Sequence, residues 1–352
     1  MLRKKWVRPL FGEKREKRGL TPLLMAWVVG LAVWVPALAQ PREPVPVWLD
    51  VDPSAAGGYG LVINDDGLAM AQAFHSPELV VRGVSATFGN AGIDETFRIA
   101  SDVVERFGPP GLSVYRGAAS GDELARETEA SRALAAALRA EPLTVLALGP
   151  VTTVATVVRN HPDLIERVVA VAVVVVAGRR PSQRFVAETT RSEPLMDLNF
   201  ELDATGFQVL LDADLPIVLA PFEIASKIVL TQDDMDRLAS GGPAARWLAG
   251  PAAGWLEWWR SRFGVDGFYP FDTLAVAYLT SPHWLTCENV PEEIQTAPDD
   301  VQVPSMGSAA PDKPYLVVSA EIASARRVRY CFDVDAAFKP DLLARMKLMR
   351  SR

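Results

Sequence analysis

Short apolar runs recur along the first two thirds of the chain, and segments with a helical repeat of apolar residues separate them. An apolar run without alternation is typical of a strand that is buried on both faces of a sheet. Such strands are predicted at 45–52, 79–89, 113–116, 143–149, 168–178 and 215–222. Helices are predicted between them at 65–74, 93–107, 121–140, 151–159 and 204–212. Because βαβ crossovers are right-handed, this order predicts an α/β fold with a mostly parallel central sheet, helices on both faces and a Rossmann-like core.

The pattern changes after residue 222. Helices are predicted at 231–263, 271–281 and 335–349, and short strands at 292–296, 314–318 and 326–334. No linker rich in Pro, Gly or Ser interrupts residues 40–352, which indicates a single domain with a helical cap region. The polar stretches 178–196 and 297–313 are predicted loops. The first is either a mobile lid or a solvated loop, and it carries Arg179, Arg180, Arg184 and Arg191.

The N-terminal segment has the order of charge and hydrophobicity of a signal peptide. A basic stretch precedes an uncharged stretch over 20–39, which closes on Ala37-Leu38-Ala39. This order predicts a cleaved signal peptide at 1–39, and hence a periplasmic or secreted protein that has no membrane contact after cleavage. An uncleaved anchor is the alternative, because about 20 apolar residues span a bilayer, but Pro22 and Pro36 shorten the uninterrupted helical stretch.

The remainder of the chain is acidic. The 352 residues carry a formal net charge of −7, and residues 40–352 carry −13 because they hold 28 basic and 41 acidic side chains. A nucleic acid polymer is therefore excluded as a partner, since its binding needs a basic face. The cysteines Cys287 and Cys331 are too few for a cysteine-based zinc cluster. They either pair in an oxidising compartment or remain two buried thiols.

Four aspartates are predicted to converge at the end of the first strand. Asp50 and Asp52 lie two residues apart, so their side chains point to the same face of a strand. Asp65 and Asp66 follow a Gly-rich loop and open the next helix, where the helix dipole favours acids and either could serve as a cap. Capping alone does not explain four acids at one strand end. Clustered carboxylates need a cation, and oxygen ligands suit Ca²⁺ best, with Mg²⁺ second.

At these residues the chain resembles a known family. The segment LDVDP…NDDGLAMAQAF resembles the DxDPGxDDAxAL signature of the inosine-uridine-preferring nucleoside hydrolases. Further family-like motifs follow in the family's order at 84–91, 146–168, 196–211 and 270–282. The resemblance implies a nucleoside hydrolase-like fold and Ca²⁺-dependent hydrolysis of the N-glycosidic bond of ribonucleosides to free base and ribose. It also implies a homo-oligomer, a dimer or a tetramer.

The resemblance also implies roles for individual residues. The Ca²⁺ ligands would be Asp52, Asp66, Asp272 and the backbone carbonyl of Thr152. Asp52 would in addition act as the general base for the attacking water. The substrate would be bound by Asp65, Asn90, Asp197, Asn199 and Phe271, with Asp50 supporting the site from beneath. Asp197 stands where Glu is usual, which shortens the reach to the 5′ end of the sugar.

Two departures from the family pattern affect the site. Nine extra residues lie between Asp52 and Asp65. Phe271 stands where many members have a His acid, and none of the three histidines, His75, His161 and His283, lies in a matching motif. Stabilisation of the leaving base would then rest on a solvent water or on aromatic stacking. The stacking candidates are Phe271, Tyr269, Phe268, Trp255, Trp258 and Trp259, although the tryptophan spacing is also typical of one buried helix face.

Two alternatives remain open at this point. The departures would also suit a catalytically impaired protein that binds nucleosides or other ribosyl compounds on the same scaffold. The run LDVDPS also resembles the strand-end motif of haloacid dehalogenase phosphohydrolases, but that hypothesis leaves LALGPVTT and MDLNFELD unexplained.

Overall fold

A nine-stranded sheet forms the centre of the protein in the computed structural model, which describes residues 43–55, 64–169, 173–187, 189, 194–301 and 310–350. The strands are β1 (Val45–Val51), β2 (Leu79–Ala86), β3 (Val114–Arg116), β4 (Thr144–Ala147), β5 (Val173–Val175), β6 (Ile217–Leu219), β7 (Leu285–Pro298), β8 (Asp312–Val318) and β9 (Arg327–Val334). The helices are α1 (Asp65–Phe74), α2 (Ile93–Phe107), α3 (Glu129–Ala140), α4 (Thr152–Asn160), α5 (Ile165–Val169), α6 (Leu198–Leu202), α7 (Ala204–Asp212), α8 (Phe222–Ala225), α9 (Gln232–Ala239), α10 (Pro243–Phe263), α11 (Phe271–Thr280) and α12 (Phe338–Lys347).

The strand order is β3-β2-β1-β4-β5-β6-β9-β7-β8. The pairs from β3 to β6 are parallel, β9 joins β6 in parallel, and β7 is antiparallel to both β9 and β8. The chain therefore adds β2 and β3 on one side of β1 and then returns to add β4 on the other side. Such a reversal creates a crevice at the carboxyl ends of the two central strands, where ligands bind in open α/β sheets.

Helices cover both faces of the sheet because β1 sends alternate side chains to two cores. Val47, Leu49 and Val51 pack in one core with residues of α1, α2, α10, α11 and α12. Trp48 packs in the other with residues of α3, α4 and α7. The predicted α/β fold, with a mostly parallel sheet between helical layers, is confirmed.

Several predicted boundaries are wrong. The helix predicted at 121–140 begins at Glu129, because Thr128 caps it by accepting a hydrogen bond from the Ser131 amide at 3.1 Å. The helix predicted at 231–263 is two helices, α9 and α10, which are separated at Gly241-Gly242 and restarted by Pro243. The strand predicted at 168–178 is preceded by helix α5 and covers only Val173–Val175 among the described residues.

The short strand predicted at 292–296 belongs to the longer β7. In the register of β7 and β9, Cys287 lies opposite Cys331, and the two form a disulfide. Of the two states that the sequence left open, the structure therefore shows the paired one.

The arginine-rich loop is tied to the edge of the sheet. The Arg179 guanidinium lies 2.6 Å from Asp300, and the Arg180 guanidinium contacts Glu223 at 3.1 Å and Glu288 at 2.9 Å. The Arg179 side chain is 11% exposed and that of Arg180 is 36% exposed, and the choice between a mobile lid and a solvated loop stays a prediction. Arg184 donates to the Asp300 carbonyl at 2.7 Å, and Arg191 lies outside the described residues.

Residues 1–39, the predicted signal peptide, also lie outside the described residues, as does 56–63 in the lengthened loop. None of the helices in the described part of the chain combines the length and the apolar character that crossing a bilayer requires.

Candidate active site

A cavity of about 400 Å³ opens at the carboxyl ends of the central strands. Loops after β2, β4 and β5 form one side of it, and α10 and the start of α11 form the other. Of the site residues predicted from the sequence, six line the cavity: Asp65, Asn90, Asp197, Asn199, Phe271 and Asp272. The other four, Asp50, Asp52, Asp66 and Thr152, are fully buried and do not line the cavity.

Asp50 is held beneath the cavity by a chain of hydrogen bonds. Its Oδ1 accepts from the Ser85 hydroxyl at 2.5 Å, and the Ser85 oxygen accepts from the Trp48 indole N–H at 2.8 Å. Burial is the main cause that raises the pKa of Asp50 to about 7, and Ser85 opposes it. The supporting position predicted for Asp50 agrees with this placement.

Asp52 is fixed where β1 ends. Its main-chain N–H donates to Asp66 Oδ1 at 3.0 Å, and its Oδ2 accepts from the Asn90 N–H at 2.6 Å. Two glycines make room for the carboxylate: a Cβ at Gly89 would lie 2.0 Å from Asp52 Oδ2, and one at Gly149 would lie 2.7 Å from Oδ1. Asp52 Oδ1 is buried and has no hydrogen-bond partner among the described residues.

The N-terminal ends of α1 and α11 bring three more carboxylates together. Oxygen atoms of Asp65, Asp66 and Asp272 lie within 4.8 Å of one another, and all three residues are buried. Asn64 and Asn90 donate amide N–H groups to Asp66 Oδ2 at 2.9 and 3.4 Å. The sequence-based assignment had placed Asp66 and Asp272 in the metal site and Asp65 on the sugar, whereas the geometry adds Asp65 to this group.

The carboxylates of this cluster repel one another. Burial raises the pKa of Asp52, Asp65 and Asp272 well above the usual value, and repulsion from Asp66 raises each of them further. Within the described residues no Lys, Arg or His is among the groups that chiefly shift these pKa values. An all-oxygen donor set of buried carboxylates with one unpartnered oxygen fits a hard divalent cation.

Thr152, predicted to supply a carbonyl ligand, is the first residue of α4. Its hydroxyl donates to Asp203 Oδ2 at 2.6 Å, while Asp203 Oδ1 accepts from the Gly206 N–H at 3.0 Å and so caps α7. Asp203 thus locks the start of α4 to the start of α7. Sequence reasoning missed this residue, although its place just before a predicted helix is typical of a capping acid.

Asp197 and Asn199 form a polar corner of the cavity. The Asn199 amide nitrogen donates to the carbonyls of Leu148 and Val176, which directly follow β4 and β5. Its Oδ1 is therefore the atom that can accept from a ligand. Asp197 Oδ2 accepts from the Gly178 N–H at 2.9 Å, and burial raises the pKa of Asp197 to about 7. Both side chains present acceptors, which suits the hydroxyl groups of a sugar.

The opposite wall is aromatic. It is formed by Phe185, Phe222, Trp255, Trp258, Trp259, Phe263 and Phe271. The Trp255 and Trp258 rings stack with centroids 4.6 Å apart, and the Phe271 ring stacks on Trp259 and on Phe222 at 6.0 and 5.9 Å. The tryptophans of α10 are therefore both a buried helix face and part of the cavity wall.

Other sequence-based candidates lie elsewhere. Phe268 and Tyr269 are buried behind the wall and do not line the cavity, so their proposed contact with a base is wrong in this structure. The three histidines do not line it either. Phe185 and Phe222 were missed. Phe222 lies three residues after the end of β6, so the rule that ligands bind beyond strand ends could have found it.

Comparison with known proteins agrees with this architecture. The family model described as inosine-uridine preferring nucleoside hydrolase matches residues 47–338. Proteins named pyrimidine-specific ribonucleoside hydrolase RihA, from Citrobacter koseri and Klebsiella pneumoniae, are each 24% identical over 271 residues, which is 69% of this chain and 81% of theirs.

Solved structures share the fold at low identity. A plant nucleoside hydrolase, PpNRh1, has a TM-score of 0.69 at 18% identity and covers 87% of this chain and 99% of its own. A purine-preferring ribonucleoside hydrolase from Gardnerella vaginalis has a TM-score of 0.66 at 16% identity and covers 86% of this chain and 98% of its own.

Calcium should stabilise the protein, and by more at about pH 7.5 than at about pH 5.5. Burial raises the pKa of Asp66 to about 6, so the metal-free folded state holds protons that the unfolded chain releases, and its stability falls as the pH rises through this range. A cation needs the ionised carboxylates, so protons compete with it at low pH. Thermal unfolding with calcium and with a chelator, at both pH values, measures the difference.

Asp272→Asn should remove the calcium-dependent increase in Tm, because it takes one charge from the buried group. The matched control is Asp102→Asn on the surface of α2, which should keep it. An unchanged increase in Asp272→Asn would show that the cation does not bind at this carboxylate group.

Proposed function

This chain belongs to the inosine-uridine preferring nucleoside hydrolase family and is a hydrolase, and on that premise we propose that it cleaves the N-glycosidic bond of ribonucleosides in a Ca²⁺-dependent reaction. The observation that carries the proposal is the cluster of buried carboxylates, Asp65, Asp66 and Asp272, at a cavity that also has an aromatic wall. Membership of this family also makes the phosphohydrolase hypothesis wrong.

The cation would be held by Asp52, Asp66 and Asp272, with the Thr152 carbonyl, and Asp65 lies close enough to share in the site. When bound, it would supply the positive charge that orients a ribose diol and lowers the pKa of the attacking water. The chain's own contribution is to keep these carboxylates fixed: Asn64, Asn90 and the Asp52 main chain each donate to Asp66.

Asp52 is the proposed general base. Its Oδ2 is occupied by the Asn90 N–H, so the unpartnered Oδ1 is the atom that can accept the proton of the attacking water. Burial and the neighbouring carboxylates raise the pKa of Asp52 in the metal-free protein, and a bound cation would lower it again and so keep the carboxylate ionised and able to accept a proton. Asp50, which accepts a hydrogen bond from Ser85, is one of the carboxylates whose charge raises the pKa of Asp52.

The sugar and the base occupy opposite ends of the cavity in this proposal. Asp197 and Asn199 accept from sugar hydroxyls, and their negative and dipolar oxygens also stabilise the positive charge that develops on the ribosyl ring. The base packs against the aromatic wall. Since Phe271 has no proton to donate, ring stacking is the interaction by which this wall can stabilise the departing base.

Export is part of the proposal and rests on the charge order of residues 1–39 together with the Cys287–Cys331 disulfide. Cleavage after Ala39 should leave Gln40 as the first residue of the exported protein, because the small residues Ala37 and Ala39 suit signal peptidase. N-terminal sequencing measures this, and an intact basic terminus would favour the anchor instead. The dimeric or tetrameric state stays a prediction.

Asp52→Asn should lower kcat about 10²- to 10⁴-fold at saturating calcium, because the amide cannot accept the proton of the attacking water. Release of free base from inosine, uridine, adenosine and guanosine measures it, with Asp102→Asn as the control that keeps wild-type rates. Full activity of Asp52→Asn would contradict its role. Calcium binding by the wild type without turnover of any of the four would instead favour the catalytically impaired binding protein.

Phe271→Leu should slow nucleosides but spare a riboside with a nitrophenolate leaving group. The leucine keeps apolar volume next to Asp272 yet removes the ring, so only a base that needs stacking loses stabilisation. The ratio of kcat/KM for inosine to that for the nitrophenyl riboside measures the effect, and it should fall about tenfold. An equal fall on both substrates would show that Phe271 acts through the cation site instead.

A further inference from the structure

A half-buried ion-pair network lies next to the polar corner of the cavity. Lys313 Nζ, at the start of β8, lies 2.8 Å from Glu201 Oε1, 3.0 Å from Asp299 Oδ1 and 3.5 Å from Asp300 Oδ1. The four side chains are 10–16% exposed. Solvent therefore screens these pairs less than it screens ion pairs on the surface, and the ammonium holds three carboxylates in place.

Glu201 links this network to the cavity. The same Oε1 that pairs with Lys313 also accepts from the Asp197 N–H at 2.9 Å. Asp197 lines the cavity next to Asn199. One carboxylate thus stands between the Lys313 charge and a side chain that faces the substrate.

A second branch of the network fixes the other contact of Asp197. Asp197 Oδ2 accepts from the Gly178 N–H. The main-chain N–H and carbonyl of the next residue, Arg179, both form hydrogen bonds with β8. The Arg179 N–H donates to the Leu316 carbonyl at 3.0 Å, and the Val318 N–H donates to the Arg179 carbonyl at 2.9 Å. The Arg179 guanidinium then pairs with Asp300, which Lys313 also contacts.

The Lys313 ammonium offsets part of the negative charge next to Asp197. Burial raises the pKa of Asp197, and the Glu201 carboxylate raises it further, whereas the charges of Arg179 and Lys313 lower it. Without the ammonium, Glu201 would repel Asp197 in a site with little solvent. The pair would then move apart or take up a proton, and either change would alter the acceptor that Asp197 presents.

We propose that Lys313 is a positioning residue for substrate binding: it fixes Glu201, Glu201 fixes the main chain at Asp197, and this arrangement sets the selectivity for a sugar with a free 5′-hydroxyl. The inference rests on the proposed function, in which Asp197 and Asn199 accept from sugar hydroxyls, and on the family resemblance at 196–211, which implies that Asp197 lies near the 5′ end of the sugar. Lys313 does not line the cavity, so its effect on the substrate passes through Glu201.

The test compares a nucleoside with its 5′-deoxy analogue, which lacks the hydroxyl in question. Lys313→Met, which keeps the length of the side chain without its charge, should lower kcat/KM for the 5′-hydroxyl substrate about tenfold. It should change kcat/KM for the 5′-deoxy substrate little. Lys313→Arg keeps the charge and should restore most of the selectivity.

The matched control is Lys339→Met. Lys339 pairs with the buried Asp234 and donates to the Val229 carbonyl, and it does not line the cavity. This variant should lose stability without a change in the ratio of the two substrates. If Lys313→Met does not fold, Glu201→Gln tests the same link, because it keeps an acceptor for the Asp197 N–H but weakens the ion pair.

Equal losses on both substrates in the Lys313 and Glu201 variants would overturn the positioning role and leave a structural one. Unchanged kcat/KM on both substrates would overturn it as well. Failure of the wild-type protein to hydrolyse either substrate would overturn the proposed function itself, so the two failures are distinguishable.

Discussion

The structure depends on a concentration of buried negative charge that its own side chains do not neutralise. Oxygens of Asp65, Asp66 and Asp272 lie within 4.8 Å of one another, with Asp52 hydrogen-bonded to Asp66. At 4 Å and an effective dielectric constant of 20, two such charges repel by about 4 kcal/mol. A bound divalent cation turns this repulsion into attraction, so the same ion that serves the chemistry also stabilises the fold around it.

The sheet makes this concentration possible because its chain order reverses at β1. The reversal leaves a crevice at the carboxyl ends of β1 and β4, where Asp52 follows β1 and the first turns of α1 and α11 carry Asp65, Asp66 and Asp272. Helix N-termini favour carboxylates, which offsets part of the repulsion. Gly89 and Gly149 complete the arrangement, since any Cβ at either position would collide with the Asp52 carboxylate.

The cavity has a polar corner and an aromatic wall, which suit different parts of a substrate. The corner is held by charges outside the cavity, through Lys313, Glu201 and the bond from Asp197 to Gly178. The wall is held by its own packing, with the Trp255 and Trp258 rings parallel and Phe271 stacked between neighbours. This division fits a substrate with a hydroxylated half and a flat apolar half, and it suits a chain that has Phe271 where many relatives have a histidine.

The sequence by itself determined the parallel α/β core, the acids at the end of β1 and the absence of a histidine before Asp272, because apolar periodicity and short motifs are local properties of the chain. It did not determine the bounds of the helices predicted at 121–140 and 231–263. The apolar spacing predicted one helix in each stretch, whereas Thr128 caps a helix that begins only at Glu129 and a turn at Gly241-Gly242 separates α9 from α10. Only the tertiary structure decided that Asp65 joins Asp66 and Asp272, that Cys287 meets Cys331, and that Lys313 stands behind Asp197. Asp272, Cys331 and Lys313 each reach a segment far away in the chain, and the geometry of these contacts depends on how the sheet and its crossovers pack, which no local pattern encodes.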